Sequence, residues 1–506
     1  MLTAGQKRIH LPNRQNNLKL HDKKLTISSS NSIIKRYNKT EIHKRRGGHG
    51  TMQEFDVIIV GGGPAGYNCA EYAAHHGKSV LLVEKKSLGG TCLNVGCIPT
   101  KTFLYASKMY HYAAGAGTSY GVETDGTVSL NQAAAVKKKD EVVKTLVQGV
   151  ASALRRAKVK VVNGTASVGK RDGKLLVSVD GQEYAGTDLI LASGSSPVIP
   201  PIEGVKEGLA DGTVMTSDEI LDMTEIPAKL LIVGGGVIGF EMAAYFQEAG
   251  SKVTVIEMLD KVLGSNDREI STLLQKEMER KGVTFYLSSS VKKVSGGVVT
   301  FEKDGKIDVA AYDRALMCVG RRPNSEVEGL QELGVQTERG AVVTDEHMQT
   351  NVPHVYAIGD VNGKVMLAHV GYREGEVAVN HILGKEDAMS YDAICGVVYT
   401  NPEAAFVGLS EEQAKASGIP CQVKKVSINF SGRHVAENGL SNGICKLIVN
   451  TEKNTLVGAA LMSSYASEYI YSLALMIDLQ VPVDRILRTV FPHPTVCEVI
   501  REALLT

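Results

Sequence analysis

No run of about 18 consecutive apolar residues, the least a helix needs to cross a bilayer, occurs in this 506-residue sequence. A membrane-spanning helix is therefore excluded. An excess of one charge is also missing: 56 Lys and Arg stand against 55 Asp and Glu, a formal net charge of +1. That balance argues against an extended nucleic-acid surface, which needs a strongly basic face. Closely spaced cysteines are scarce. The eight lie at 69, 92, 97, 318, 395, 421, 445 and 497, a scatter that suits a reducing compartment better than a disulfide-stapled secreted chain. Only Cys92 and Cys97 form a close pair. No second pair stands by to complete a zinc site, so no metal is expected. Acids are nearly absent from residues 1–51, where 12 Lys or Arg face only Asp22 and Glu41. This segment buries too little apolar surface to offset its ordering entropy, and disorder is expected for it. It reads equally as a processed basic leader or as a non-native or upstream-extended start before Met52, and it lacks the apolar centre of a secretory signal.

Glycine, by contrast, is abundant, and much of it clusters in short motifs. From Phe55 an apolar run leads into Gly61-Gly62-Gly63-Pro64-Ala65-Gly66, then a helical stretch to His76, then a second apolar run, Ser79 to Val83, ending at Glu84. Strand, glycine turn, helix, strand and acid follow at the spacing of a dinucleotide-binding fold. Gly61 permits the tight turn, Gly63 lets a pyrophosphate approach the backbone, and Gly66 lets the helix pack on the strand. The helix N-terminus offers free N–H groups to phosphates, and Glu84 can accept hydrogen bonds from a ribose. A lone G-x-G-x-x-G is often only a turn. Here the pattern repeats: strand Lys229–Val233, turn Gly234-Gly235-Gly236-Val237-Ile238-Gly239, a helix to Ala249, and a strand ending at Glu257. Each acid lies 23 residues beyond the first glycine of its turn. A carboxylate at 257 suits a free ribose 2′-hydroxyl and repels a 2′-phosphate, so the second site should prefer NAD over NADP. Two dinucleotide sites in one chain suggest electron relay between two cofactors. A third segment, Val355 to Asp360, is a short strand followed by Gly-Asp. It reads either as a hydroxyl-binding carboxylate, plausible for a flavin ribityl chain, or as a turn with a helix N-cap.

Between the first nucleotide fold and the next helix lies Gly89-Gly90-Thr91-Cys92-Leu93-Asn94-Val95-Gly96-Cys97-Ile98-Pro99-Thr100-Lys101. If the intervening backbone coils as one helical turn, the two sulfurs come within disulfide reach. Pro99 and the residues after it put Cys97 near a helix N-terminus, which lowers a thiol pKa. The bland alternative is a pair of buried, inert cysteines.

This segment resembles the active-site sequence of the pyridine nucleotide–disulfide oxidoreductases, most closely that of the dihydrolipoamide dehydrogenases, and the likeness runs from about residue 54 to the C-terminus. It implies FAD at the first site and NAD at the second, with Cys92 exchanging with substrate and Cys97 contacting the flavin. It implies a flavin-side lysine at Lys101 with Glu241 as its carboxylate partner, and flavin contacts at Gly90, Thr91, Ser193, Gly194 and Asp360. Val319-Gly320-Arg321-Arg322-Pro323-Asn324 is similar to a strand-end segment flanking the nicotinamide domain, which places Gly320 at the NAD site. Near the C-terminus, His493 stands between two prolines with Glu498 five residues on. These are the elements of an oriented His–Glu dyad, although a lone histidine is usually structural. The segment is similar to the family's His-Pro-Thr motif, which implies that His493 is the base acting on the partner subunit's cysteines. Position 491 is Phe, where dihydrolipoamide dehydrogenases commonly carry a further His. His369 is expected to be structural.

The expected fold is α/β, with two Rossmann-like dinucleotide-binding domains and a C-terminal α/β dimerisation domain. The expected boundaries are 54–198 for FAD, 199–322 for NAD, 323–390 for a central part completing the flavin site, and 391–506 for the homodimer interface. The resemblance implies oxidation of dihydrolipoamide, carried on lipoyl domains or a lipoyl carrier protein, with NAD as acceptor. The alternative is a related reductase acting on another dithiol or disulfide. A bacterial cytoplasmic location is expected, or the mitochondrial matrix if the leader is a targeting peptide.

Overall fold

The computed structural model describes residues 52–506; the expectation for 1–51 lies outside them. The first strand, Gln53–Val60, pairs in parallel with Val80–Glu84 on one side and Gln182–Leu191 on the other. Lys160–Asn163 extends the sheet beyond Val80–Glu84. The long strand Gln182–Leu191 divides its free edge. Its first half pairs with the antiparallel strand Lys174–Val179, and its second half with Val355–Ala357, which returns from far along the chain. Both faces of this sheet are covered, so its strands are apolar without alternation: Val57 to Val60 and Val80 to Val83 are all buried.

The same plan recurs. Lys229–Val233 pairs in parallel with Lys252–Ile256 and Arg314–Met317, with Thr284–Tyr286 and Val214–Met215 at the edges. Three antiparallel strands between Ser289 and Ala311 accompany this sheet, in the way Ala166–Arg171 and Lys174–Val179 accompany the first. The C-terminal part of the chain, from residue 396, forms a five-stranded antiparallel sheet, in the order 396–398, 403–408, 455–463, 444–450, 421–427. Helices Ala466–Asp478 and Val499–Leu505 pack against it.

One core cluster holds these parts in register. Phe103 of the cysteine-bearing helix, Phe240, Tyr245 and Phe246 of the second glycine helix, and Val398, Phe406 and Met462 of the C-terminal sheet share it. The rings of Phe103 and Tyr245 stack at 4.8 Å. Each fully buried aromatic or aliphatic side chain contributes about 1.5–3 kcal/mol, so the cluster fixes the cysteine helix against the second dinucleotide unit. In open parallel sheets of this kind ligands bind beyond the carboxyl ends of the strands, and both glycine turns lie at those ends.

Candidate active site

The two glycine turns are built alike. Gly61 has φ of +114°, and a Cβ there would meet the Ala192 carbonyl oxygen at 2.1 Å. Gly234 has φ of +113° and the same relation to the Cys318 carbonyl, at 2.4 Å. A Cβ on Gly66 would lie 1.8 Å from the Gly61 oxygen, and one on Gly239 2.1 Å from that of Gly234, so both helices sit directly on their turns. Gly63 and Gly236 precede their helices in extended conformation, with no side chain capping the N-terminus. Each acid braces its own turn. Glu84 accepts from the N–H groups of Gly62 (2.7 Å) and Lys86 (2.6 Å); Glu257 accepts from those of Gly235 (2.6 Å) and Leu259 (2.8 Å).

A single cavity of about 1750 Å³ runs between the turns, larger than the ~300–1,000 Å³ usual for one small-molecule site. Its walls include Gly61, Gly63, Glu84, Gly90 and Thr91 at one end and Gly234, Gly236, Glu257 and Gly320 at the other. Cys92, Cys97, Lys101 and Glu241 also line it. Gly66 and Gly239 are not in the wall; they lie behind it, where they let the helices approach. Bare glycine turns, uncapped helix N-termini and strand-end carboxylates at each end fit two dinucleotides.

The cysteines lie on a broken helix. Gly90–Val95 is helical, Gly96 interrupts it, and Cys97 begins the helix Cys97–Ala113. Gly90, at φ +53°, touches the first turn so closely that a Cβ would come within 2.6 Å of the Gly63 Cα. Both thiols are free. Cys97 is pulled down to about 7, first by the hydrogen bond from the Cys92 thiol, then by Lys101 and its own backbone N–H, against the opposing effect of burial. Cys92 moves the other way, raised by its hydrogen bond to Cys97, by burial and by the neighbouring charge. The two sulfurs are unequal before any substrate arrives.

Lys101, one turn beyond Cys97, donates to both oxygens of Glu241 at 3.1 and 3.0 Å. The Glu241 side chain is only 4% exposed, on a helix 140 residues away. Asp360 lies in a short 3₁₀ turn, Gly359–Asn362, where it forms no cap. Its carboxylate accepts from the Ser195 hydroxyl, which in turn accepts from Arg321 Nε at 2.8 Å. Ser193 and Gly194 line the cavity, but the Ser193 hydroxyl donates to the Asn324 carbonyl at 2.7 Å. His369 is also in the wall, with Nε2 2.9 Å from the Cys395 carbonyl, and burial lowers its pKa.

His493 stands apart. Its Nδ1 is 2.9 Å from Glu498 Oε1, while Glu498 Oε2 accepts from the Thr495 N–H at 2.8 Å. These bonds, the Thr495 one foremost, hold the Glu498 carboxyl below its usual range. The His493 side chain is 78% exposed and is not among the residues lining the cavity.

Three tyrosines carry no sequence signal. The hydroxyls of Tyr67, on the first glycine helix, and Tyr372 lie 2.6 Å apart. Burial foremost raises the pKa of each, and both feel the charges of Cys92 and Cys97. The ring of Tyr399 lies 4.2 Å from Lys101 Nζ. Only tertiary structure brings these residues to the site.

A thiol pair set between two dinucleotide cradles defines a disulfide oxidoreductase of the two-cofactor type. Residues 55–375 match the pyridine nucleotide-disulphide oxidoreductase family and 394–504 its dimerisation domain, and the chain belongs to that family. It is an oxidoreductase that works with FAD and NAD. The dihydrolipoyl dehydrogenase of Mycoplasma pneumoniae is 36% identical over 451 residues, 88% of this chain and 97% of that protein. That of Acholeplasma laidlawii is 46% identical over 331 residues, 65% of this chain and 97% of that protein. Among solved structures, the HOCl-induced flavoprotein disulfide reductase RclA of Escherichia coli is 28% identical, with TM-score 0.77 over 89% of this chain and 99% of that one. LpdA of Mycobacterium tuberculosis, at 23% identity and TM-score 0.80 over 90% of this chain and 99% of that one, shares the fold.

Proposed function

We propose that this protein oxidises dihydrolipoamide to lipoamide and delivers the two electrons to NAD, with Cys92 and Cys97 as its redox-active pair. The observation that carries the reading is the joint cavity: both cysteines and both glycine-turn-and-acid sets face one space. Relatives named dihydrolipoyl dehydrogenase, matched over nearly their whole length, support the substrate.

FAD would be held by Gly61, Gly63, Glu84, Gly90, Thr91, Lys101, Ser193, Gly194 and Asp360, and NAD by Gly234, Gly236, Glu257 and Gly320, with Gly66 and Gly239 seating the two helices behind their turns. When bound, these cofactors supply a two-electron path from thiolate to nicotinamide. The chain's own residues handle the sulfur chemistry. Glu498 holds Nδ1 of His493, leaving Nε2 to take the proton of the first substrate thiol. The resulting thiolate attacks Sγ of Cys92, the Cys92–Cys97 bond breaks, and Cys97 leaves as a thiolate. Lys101 and the helix N-terminus stabilise that charge. The second substrate thiol then attacks its partner sulfur in the mixed disulfide. The disulfide of lipoamide closes, and the proton passes to the departing Cys92. The likeness of this segment to the family's His-Pro-Thr motif implies that His493 serves the cysteines of the other subunit in the homodimer, and its place outside its own chain's cavity is in keeping with that role.

The substrate is carried on a lipoyl arm of a 2-oxo acid dehydrogenase or glycine-cleavage assembly, in a bacterial cytoplasm, as the bacterial relatives suggest. A steady-state assay with dihydrolipoamide, glutathione disulfide and mercuric ion tests the reading. Turnover should be fastest with dihydrolipoamide and NAD; faster turnover with either other substrate would replace it with a related disulfide reductase.

A further inference from the structure

The Lys101–Glu241 pair has a third member. Tyr399 follows the strand Gly396–Val398 of the C-terminal sheet and lines the same cavity. Its backbone N–H donates to Glu241 Oε1 at 3.0 Å, and its ring lies 4.2 Å from Lys101 Nζ. The ammonium is thus held between a buried carboxylate and an aromatic face, with the three residues supplied by three separate parts of the chain. An aromatic ring attracts a cation through its quadrupole. It also excludes water from one side of the ammonium, so the ammonium's field on its neighbours is less screened. Cys97 is the neighbour that matters, four residues before Lys101 on the same helix face.

We infer that the Tyr399 ring is a positioning residue for the dithiol: it fixes the Lys101 ammonium where that charge stabilises the Cys97 thiolate. The inference rests on the thiolate–flavin reading above. The ring acts alongside the other groups facing Cys97. These are the Cys92 thiol on the preceding helical turn, the Lys101 ammonium, the Glu241 carboxylate from the second glycine helix, the phenols of Tyr67 and Tyr372 from two further helices, and the phenol of Tyr399 itself. Among them Lys101 is the cationic side chain, so its placement decides how much of the thiolate's charge is offset. Changing the Tyr399 side chain leaves its backbone bond to Glu241 in place, which isolates the effect of the ring.

The test compares holoenzyme carrying Tyr399→Phe or Tyr399→Leu with the unmodified protein. Each is reduced anaerobically by two electrons, and the long-wavelength thiolate–flavin band is titrated with pH. Tyr399→Phe keeps the aromatic face and should titrate with the unmodified protein. Tyr399→Leu should keep its flavin but raise the midpoint by about 0.5–1 pH unit, the size expected for losing one cation–π contact. If the Leu variant releases flavin, the pH midpoint for alkylation of Cys97 in flavin-free protein reads the same shift. An unshifted Leu variant would overturn the inference, as would a Phe variant shifted as far as Leu, since the hydroxyl and not the ring would then be responsible. Absence of the band from the unmodified protein would remove the thiolate–flavin reading itself and this inference with it.

Discussion

Cys97 and Cys92 share a sequence motif but not an environment, and the difference is measurable. With the Cys97 thiol lowered and the Cys92 thiol raised, reduced flavin-free protein should alkylate first at Cys97. The pH midpoint of that reaction should lie below the about 8.5 of an ordinary thiol, as read by mass spectrometry of iodoacetamide-treated samples. Cys97→Ser should abolish the charge-transfer band and Cys92→Ser should retain it; the opposite pattern would exchange their roles. His493→Gln should cost about 10²–10⁴-fold in dihydrolipoamide turnover with flavin still bound. Residues of this kind were legible in the sequence where their meaning is local: the turn glycines, the acids ending the strands, the paired cysteines. Lys101 and Glu241, 140 positions apart, were reached only through resemblance to a family, because no local pattern pairs them. Ser193, Gly194 and Ser195 all line the cavity, but it is Ser195 that joins Asp360 to Arg321. Three serines within four positions look alike until strand direction decides which hydroxyl faces which partner.

Strands and helices around the turns were readable because apolar runs and glycine punctuation specify them; strand ends fall within a residue or two, whereas both helices begin three residues earlier, inside the glycine turns. Helix starts in the structure at Pro64 and Val237 follow from the turns themselves. Gly66→Ala should therefore act on an element and not only on a site. Its Cβ cannot coexist with the Gly61 carbonyl at 1.8 Å, so the first glycine helix must move away from the strand. A loss of about 1–3 kcal/mol and release of flavin are expected, visible as a lower denaturation midpoint and a colourless protein. Nothing in the sequence marks Lys446 as unusual. In the fold its ammonium is 1% exposed and lies 2.9 Å from Asp267, 3.2 Å from Glu269 and 2.7 Å from Glu411. It thereby ties the C-terminal sheet to the cap of helix Arg268–Arg280. Burial works against the charge, but the three carboxylates more than offset it and its pKa is raised. Glu411 is lowered to about 2, first by Lys415 and next by Lys446. A depressed carboxyl stabilises the fold above its unfolded value of about 4.3, and this contribution disappears as pH falls through 2. Lys446→Met should cost about 3–5 kcal/mol near neutrality by stranding the acids. It should also flatten the acid side of a stability–pH curve from urea melts.

At the scale of the whole molecule, one chain brings both dinucleotide cradles and both cysteines to one cavity, while the proposed base His493 lies outside it. Both glycine turns, both acids and both cysteines face that cavity, whereas His493 does not. Hydride exchange and dithiol exchange should therefore respond differently to dissociation of the homodimer. The helix Ala466–Asp478 and its cap offer a way to separate them. Tyr471, Leu475 and Leu479 are 68%, 45% and 63% exposed and recur every four residues on one face, within the region matching the family's dimerisation domain. Buried neighbours such as Ile470 and Leu473 anchor the opposite face to the sheet. Charges placed at 475 and 479 should thus leave the fold intact while opposing a second copy, since each would bring an unpaired charge into the interface. Leu475→Glu combined with Leu479→Glu should shift the protein to monomer in sedimentation velocity. Oxidation of NADH by an artificial electron acceptor, which needs only the cavity of one chain, should persist within a few-fold, while dihydrolipoamide turnover should fall by the ~10²–10⁴-fold expected for loss of the base. A monomer that kept full dithiol turnover would require a base within its own chain, and His493 would then lose its place in the mechanism.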